Sequence, residues 1–145
     1  MIRKCLAVGI ILLLIGTNVY SSTAQELKKS PLPTSSSKWL YVGGSGPGNY
    51  TRIQDAIDNA TDGDTVFVFN GMYYENDIVD KSISIIGENK DEILVFGDGI
   101  TPCFNITANK VNISGFTIRN DYGTGIALDS SACTIRHNIL DNNTV

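Results

Sequence analysis

The sequence is short of charge, and the charge that it carries is mostly acidic. Only 18% of the 145 residues are Asp, Glu, Lys or Arg, and the formal net charge is −4. A chain without a basic excess lacks the electrostatic attraction that drives binding to nucleic acid or to anionic lipid, so neither is expected as a partner. Short aliphatic runs among abundant Gly, Ser, Thr and Asn also exclude a coiled coil and a disordered chain. What remains is one small globular unit.

Residues 1–24 have the three-part layout of a secretory signal. Arg3 and Lys4 precede an apolar run at 6–16, and a polar stretch with small residues follows. A membrane anchor is the alternative, but the apolar run of about 15 residues at most is shorter than the roughly 20 that span a bilayer. We therefore predict a signal peptide at 1–24 and a secreted or cell-surface protein with no membrane span after cleavage. Loss of Arg3 and Lys4 takes the formal charge from −4 to −6.

A linker and a short helix are predicted next. Residues 25–38 are rich in Pro and Ser without a hydrophobic period, which predicts a flexible linker before a folded domain at 39–145. Thr51 and Gln54 have the spacing of a capping box, in which each side chain bonds the backbone N–H of the other. Gly63 supplies a left-handed stop after an amphipathic helix. The apolar stripe of that helix consists of Ile53, Ala56, Ile57 and Ala60.

After Gly63 the pattern changes to short β-branched runs that repeat along the chain. At a sequence offset of 22, six pairs of like residues superpose, for example Ile113 and Ile135. One coil earlier the offsets are 27 and 28, with the additional residues in the charged segment 88–92. These offsets predict three families of strands. The first is Val66/Val68, Ile93/Val95, Ile118 and Leu140, the second is Ile78, Phe104/Ile106 and Ile126/Leu128, and the third is Ile83/Ile85, Val111/Ile113 and Cys133/Ile135.

Three strands per turn predict an all-β parallel solenoid of about three coils. Within each strand apolar residues alternate with polar ones, so that one face points to a core and the other to water. Coils stack about 4.8 Å apart, and the helix fits as a plug over the first coil. The sequence ends soon after Leu140 without a second plug, whereas solenoids normally carry one. We expect a fragment of a longer protein, the alternative being a last coil that docks on another molecule.

Three stretches of the sequence are those of a known superfamily: LYVGGSGPGNYTRIQDAIDNATDGDTVFVFNGMYYE, KSISIIGE and VNISGFTIRN. Over residues 39–145 the chain resembles the N-terminal part of right-handed parallel β-helix proteins of the pectin-lyase-like superfamily. The resemblance is greatest to NosD-type and archaeal surface β-helix proteins. It implies the fold and the helical cap, but no activity, because this scaffold hosts lyases, hydrolases, esterases and non-catalytic modules alike.

A catalytic site for polysaccharide on this scaffold needs carboxylates that project together from neighbouring coils. The predicted outward positions contain no such pair. Glu75 and Glu88 resemble residues of pectin-methylesterase-like N-termini, but the catalytic acids of that family come from later coils, so we interpret both as corner or loop residues. We predict no catalytic residue. The outward positions are Ser84, Asn112, Ser114, Thr134 and Arg136 in the third family and Asp77, Cys103, Asn105 and Ala127 in the second.

No metal or cofactor site is predicted either. His137 is the only histidine, and the cysteines have neither the spacing of metal ligands nor a stacked pair. Cys133 falls on the inward column above Val111, where it serves as a small core residue, and Cys103 points outward from a different face. The NosD-type resemblance implies copper handling, which no cluster of Met, His or Cys supports. Weak calcium binding at the coil corners is the alternative to solvated turns for Asp121, Asp129 and Asp141.

Three further features bear on binding and modification. The glycine-rich segment 43–48 lacks the Lys-Ser/Thr ending of a phosphate loop, so we interpret it as a tight connection. Several aromatic residues are able to stack on sugar rings, although packing around the capping helix is the favoured interpretation. They are Trp39, Tyr41, Tyr50, Tyr73 and Tyr74. Possible N-glycosylation sites, in Asn-x-Ser/Thr triplets, are Asn49, Asn59, Asn105, Asn112 and Asn142.

Two functions follow from the sequence. The first is an exported β-helix module without a complete catalytic site, which serves as a cell-surface scaffold or as a face that binds polysaccharide or a surface protein. The second is the N-terminal fragment of a polysaccharide-active lyase, hydrolase or esterase with catalytic coils downstream. A copper-site maturation factor is a remote third, since it would need a neighbouring copper enzyme.

Overall fold

The computed structural model describes residues 36–144, so the predicted leader and residues 25–35 of the predicted linker lie outside the described part. No helix within 36–144 is long and apolar enough to cross a membrane. The described elements are β1 (Trp39–Val42), α1 (Ile53–Asn59), β2 (Thr65–Val68), β3 (Gly71–Tyr74), β4 (Asp77–Val79), β5 (Ser84–Gly87), β6 (Ile93–Phe96), β7 (Phe104–Ile106), β8 (Asn112–Ser114), β9 (Thr117–Arg119), β10 (Ile126–Leu128), β11 (Thr134–Arg136) and β12 (Ile139–Asp141).

These strands form three sheets, and every pair of neighbouring strands is parallel. Sheet A has the order β1-β2-β5-β8-β11, sheet B has β3-β6-β9-β12, and sheet C has β4-β7-β10. Each turn of the chain adds one strand to each sheet in succession, which confirms the predicted all-β parallel β-helix. Sheet A extends over five strands, so the stack is taller than the predicted three coils, because β1 and β2 each add a rung to it.

The core consists of columns of side chains that lie above one another in register. In sheet A, Leu40, Val66, Ile85 and Ile113 stack in this order, and all four are buried. Burial of each branched side chain stabilises the fold by about 1.5–3 kcal/mol. Alternation within each strand supplies these columns, since every second residue faces inward. Successive coils thus bury like residues over like.

The offset of 22 is confirmed in all three sheets. It pairs Leu128 with Ile106, Ile135 with Ile113, and Leu140 with Ile118. At this end of the described stack, the inward residues Ile135 and Leu140 are 37% and 58% exposed.

The prediction that Val66 and Val68 stack on Ile93 and Val95 is wrong. Val66 lies in sheet A and pairs with Ile85, whereas the partner of Val95 is Tyr73 of β3. The segment Gly71–Tyr74 forms the first strand of sheet B although its sequence, GMYY, has no aliphatic alternation. One strand was therefore missing from the predicted first turn, and the strand before it was assigned to the wrong sheet.

The predicted register of sheet C is wrong by one residue. Ile78 pairs with Asn105 and Val79 pairs with Ile106, an offset of 27 rather than 28. Because a shift by one residue exchanges the two faces of a strand, Ile78 points outward and is 53% exposed, whereas Asp77 and Val79 are buried. Cys103 is also fully buried rather than outward. Burial raises the pKa of its thiol to about 11.

Helix α1 covers the first end of the stack, as predicted, but it is not held by a capping box. It packs against β1, β2 and β4 and buries Ile53, Ala56 and Ile57. Its N-cap residue is Arg52, which makes no side-chain capping bond. The helix ends at Asn59, with Gly63 in a later turn at φ +91°. The predicted roles of Thr51 and Gly63 are therefore wrong.

The side chain of Gln54 pairs instead with the edge strand of sheet C. Its Oε1 accepts from the Ile78 N–H at 2.8 Å, and its Nε2 donates to the Ile78 carbonyl at 3.3 Å. A side-chain amide has one acceptor and donors in the same arrangement as a peptide group, so it takes the place of a neighbouring strand. Gln54 thereby protects an edge that would otherwise present unpaired backbone groups.

We expect Gln54→Ala to lower the free energy of unfolding by about 1–2 kcal/mol, because both edge groups of Ile78 lose their partner. Thr51→Ala is the matched control, and we expect it to change the free energy of unfolding by less than about 0.5 kcal/mol. Urea denaturation of the two variants measures the difference. An equal loss of stability in both variants would support the capping box and contradict the role of Gln54.

Two glycines lie at a close backbone contact between coils. Gly87 and Gly115 lie one above the other, and a Cβ on either would overlap the carbonyl oxygen of the other. Gly115 also has φ +87°, a left-handed conformation that costs other residues about 1–2 kcal/mol. The next coil places His137 at this position with φ +54°.

Gly115→Ala should lower the free energy of unfolding by about 2–4 kcal/mol, the sum of the left-handed conformation and the overlap with Gly87. Gly71→Ala is the control, because a Cβ there would meet the Tyr73 ring at an ordinary 3.4 Å. In the same denaturation experiment, we expect the control to lower the free energy of unfolding by less than about 1 kcal/mol. A Gly115 variant as stable as the control would show that the coils do not approach here as described.

Candidate functional site

The largest exposed aromatic cluster among the described residues lies on the outer face of sheet A. Tyr41 is the centre of the cluster, with its ring centroid 6.4 Å from that of Trp39 and 6.1 Å from those of Phe67 and Phe69. Phe67 and Phe69 contact each other edge to face at 5.2 Å. Trp39 and Tyr41 are 48% and 41% exposed. We call these four residues the aromatic strip.

The same alternation that builds the core places the strip outside. Leu40 and Val42 point inward from β1, so Trp39 and Tyr41 must point outward. In-register pairing of β1 with β2 then sets Tyr41 beside Phe67. Three residues of the strip therefore lie on strands of sheet A, and Phe69 directly follows β2.

The favoured interpretation of the predicted aromatic residues is wrong for Trp39 and Tyr41, which do not pack around the capping helix. Of the other aromatic residues, two lie on the inside. Tyr73 is buried and donates its hydroxyl hydrogen to the Phe69 carbonyl at 2.8 Å, and Tyr50 packs against the core. Tyr74 is 70% exposed on sheet B.

The segment 43–48 connects β1 to the helix, as predicted. The Gly43 N–H donates to the Tyr50 carbonyl, and the Tyr50 N–H donates to the Tyr41 carbonyl. Gly43 and Gly44 have positive φ and lie directly against Tyr73 and Phe69. The connection therefore supports one end of the aromatic strip and forms no phosphate loop.

Beyond the strip, the outer face of sheet A becomes polar. Pairing places Ser84, Asn112 and Thr134 in one row and Ile86, Ser114 and Arg136 in the next. The face thus offers stacking surfaces at one end and hydroxyl, amide and guanidinium groups at the other. These are the groups that bind the C–H faces and the hydroxyls of a sugar.

Sheet B carries a second outward row, in which two aromatic residues are followed by two charged residues. Tyr74, Phe96, Arg119 and Asp141 lie in register on successive strands. The ring centroids of Tyr74 and Phe96 are 5.8 Å apart, and the Arg119 guanidinium lies 5.7 Å from the Phe96 centroid. This guanidinium already has its own anionic partners.

Those partners are two of the three predicted calcium ligands. Arg119 Nε is 2.7 Å from Asp121 Oδ1, and a second nitrogen is 3.7 Å from Asp141 Oδ2. The hydrogen bond from Arg119 holds the pKa of Asp121 below its usual value. Asp129 follows β10 in sheet C, away from both. Within 36–144, no three residues of His, Cys, Asp or Glu lie close enough to hold a metal ion.

A buried pair of acidic side chains lies under the capping helix, where the sequence predicted none. Asp77 is fully buried and Glu75 is 6% exposed. Burial, and then the charge of Glu75, raise the pKa of Asp77 to about 8. A polymer cannot reach this pair, so it is not an acid–base pair for an external substrate. Glu88, by contrast, is the predicted corner residue and accepts from the Asn70 N–H at 3.0 Å.

The five predicted glycosylation sites differ in whether their amide nitrogen is engaged. Asn105 is on the outer side of sheet C and Asn112 on that of sheet A, and neither Nδ2 has a hydrogen-bond partner among residues 36–144. The other three amides donate within the fold. Asn49 donates to the Gly43 carbonyl, Asn59 to the Asp55 carbonyl and Asn142 to the Asp121 carboxylate.

Comparison with known proteins finds relatives that are similar to part of this chain. No family model matches the chain. A cell surface glycoprotein of Methanothermus fervidus is 35% identical over 96 residues, which are 64% of this chain and 16% of that protein. A probable pectinesterase/pectinesterase inhibitor 41 of Arabidopsis thaliana is 33% identical over 88 residues, which are 56% of this chain and 14% of that protein. The chain thus matches less than a fifth of the length of either relative.

Proposed function

We propose that this chain is an exported β-helix module of the cell surface, whose aromatic strip binds polysaccharide. The observation that carries the proposal is the exposure of Trp39 and Tyr41, at 48% and 41%, on a sheet whose other aliphatic and aromatic residues are mostly buried. A cluster of aromatic side chains on a rigid surface is unfavourable in contact with water, and such exposed clusters mark binding faces. The likeness to a cell surface glycoprotein supports the location.

Carbohydrate is the ligand class that fits this strip better than a protein surface. A pyranose ring presents a flat face of C–H groups, which stacks on aromatic rings, and hydroxyls around its edge. The strip offers four rings within 6.4 Å of a neighbour, and the same face continues into serine, asparagine and threonine. The likeness to a pectinesterase places a carbohydrate-related protein among the relatives.

The alternative is the N-terminal part of a polysaccharide-active enzyme. The likeness to a pectinesterase favours it, but the carboxyl pair of Glu75 and Asp77 is buried under α1. Copper handling, implied by the NosD-type resemblance, has no support in either comparison and stays a remote prediction. Calcium binding also stays a prediction, and addition of calcium in the binding experiment tests it.

We expect Trp39→Ala and Tyr41→Ala each to weaken binding to pectin or alginate by about fivefold, since stacking of one ring is worth about 1 kcal/mol. Tyr122→Ala is the control, because Tyr122 is 90% exposed in a turn outside sheet A. Retardation in gels that contain each polymer, with and without calcium, measures binding. Failure of the unaltered protein to bind, or equal loss in the control, would contradict the proposal. Release of products from the polymer would favour the enzyme.

We also propose that the exported protein carries N-glycans at Asn105 and Asn112. In this modification the amide nitrogen bonds to C1 of a lipid-linked oligosaccharide, the lipid phosphate leaves, and the nitrogen loses a proton. A glycan on either residue leaves the hydrogen bonds of the fold intact, whereas a glycan on Asn49, Asn59 or Asn142 is attached to a nitrogen that donates within the fold.

Peptide mass spectrometry of the protein secreted from a glycosylating host should find glycan at Asn105 and Asn112. We expect Asn112→Gln to remove one glycan and Asn59→Gln, the matched control, to remove none. Occupancy at Asn59 or Asn142 with bare Asn105 and Asn112 would contradict the assignment.

A further inference from the structure

The carboxylate of Glu75 fastens the capping helix to the β-helix. Its oxygens accept from the N–H groups of Ile53 at 3.0 Å and Gln54 at 3.3 Å. Its Oε2 also lies 3.6 Å from Arg52 Nε. The free N–H groups of a helix N-terminus need such an acceptor, and here it comes from the distant segment between β3 and β4. Glu75 therefore binds as an anion.

Asp77 lies two positions further along the chain and points to the same interior. It is fully buried, and neither of its side-chain oxygens has a hydrogen-bond donor among the described residues. An ionised carboxylate without a donor is strongly disfavoured in such a place. A neutral carboxyl group has an O–H to donate, and the nearby Glu75 carboxylate is an acceptor. The arrangement satisfies both residues only when the pair holds one proton.

We propose that this shared proton is a pH-sensitive fastener: Glu75 and Asp77 hold α1 on the end of the β-helix through it, and its loss loosens the helix before the rest of the fold. When Asp77 ionises, two negative charges lie side by side in the core, and their repulsion weakens the contact of Glu75 with α1. Opening there uncovers the apolar face of α1 and the edge of β4.

The other ionisable groups around the pair agree with this assignment. From α1 and its N-cap, the charge of Arg52 lowers the pKa of Asp77 and that of Asp58 raises it, but burial and Glu75 dominate. From the chain before β7, the thiol of Cys103 has a pKa of about 11 and stays neutral as Asp77 ionises. Asp77 is thus the group whose charge changes near pH 8.

The direction of the effect follows from the raised pKa of the folded state. The usual pKa of Asp is about 3.9, so between about pH 4 and pH 8 the closed state holds a proton that the open state releases. The stabilisation by this proton is complete below about pH 4, declines as the pH rises, and is gone above about pH 8. Within this window the opening equilibrium of α1 rises by up to about tenfold per pH unit.

Amide hydrogen exchange of the protein as a function of pH tests the proposal. After correction for the intrinsic exchange rate, we expect the opening equilibrium constant at the amides of Ile57 and Ala60 to rise at least tenfold from pH 6 to pH 8. The constant at the amide of Ile113 in β8 should not change. In Asp77→Asn, the opening of α1 should no longer depend on pH, because the amide cannot ionise. Asp91→Asn, in an exposed loop, is the control and should behave as the unaltered protein does.

If Asp77→Asn does not fold, a second measurement, on the unaltered protein, tests the proposal. The carboxyl ¹³C resonance of Asp77 should titrate near pH 8, and a titration near pH 4 would overturn the proposal. A pH dependence shared by β8, or one that persists in Asp77→Asn, would overturn it as well. Since neither Asp77 nor α1 contacts a ligand in the proposed function, these outcomes are independent of polysaccharide binding.

Discussion

Every parallel strand in this protein depends on a strand above it and a strand below it. Each strand leaves backbone groups unpaired along both edges and apolar side chains uncovered on both sides, and only another rung of the same shape satisfies all of them at once. In the middle of the stack the chain supplies that rung by repeating. The glycines at 87 and 115 mark how close the rungs approach, since neither position has room for a side chain.

At the first end of the described stack, α1 takes over both tasks. Its apolar face covers the core, and the side-chain amide of Gln54 pairs with Ile78 as a strand would. Such a cover must itself be attached, and Glu75 does this from inside the fold. The attachment requires a negative charge under the cap, so it makes the end of the stack sensitive to the ionisation of Asp77. The need to cover the end of the sheets thus makes the stability of that end depend on an ionisable group.

The outside of the same sheet explains the proposed function. Alternation along β1 and β2 separates the aliphatic residues from the aromatic strip. Many functions are built on this scaffold, so the fold alone does not assign one. Support for carbohydrate binding comes from the strip, from the polar rows beside it, and from relatives that are a cell surface glycoprotein and a pectinesterase.

The parts of the fold that the sequence predicted are those where the repeat length is constant. The offset of 22 predicted the last two coils residue by residue, because their turns have equal length. In the first coils the strand GMYY lacks aliphatic alternation, so it was missed, and a one-residue difference in turn length reversed the faces of Asp77 and Ile78. For the same reason the carboxyl pair was not predicted. Asp77 is polar and was therefore expected to point outward, and only the pairing of β4 with β7 shows that it points inward. Gln54 was misassigned because a capping box is a local pattern, whereas its actual partner, Ile78, is distant in the sequence.

The order of the rungs in sheet A is the central claim, and nuclear Overhauser contacts between backbone protons of neighbouring strands measure it directly. The account predicts contacts that follow the order Leu40, Val66, Ile85, Ile113 and Ile135. Contacts that place the strand of Val66 beside that of Ile93, or antiparallel contacts between any two neighbouring strands, would contradict it.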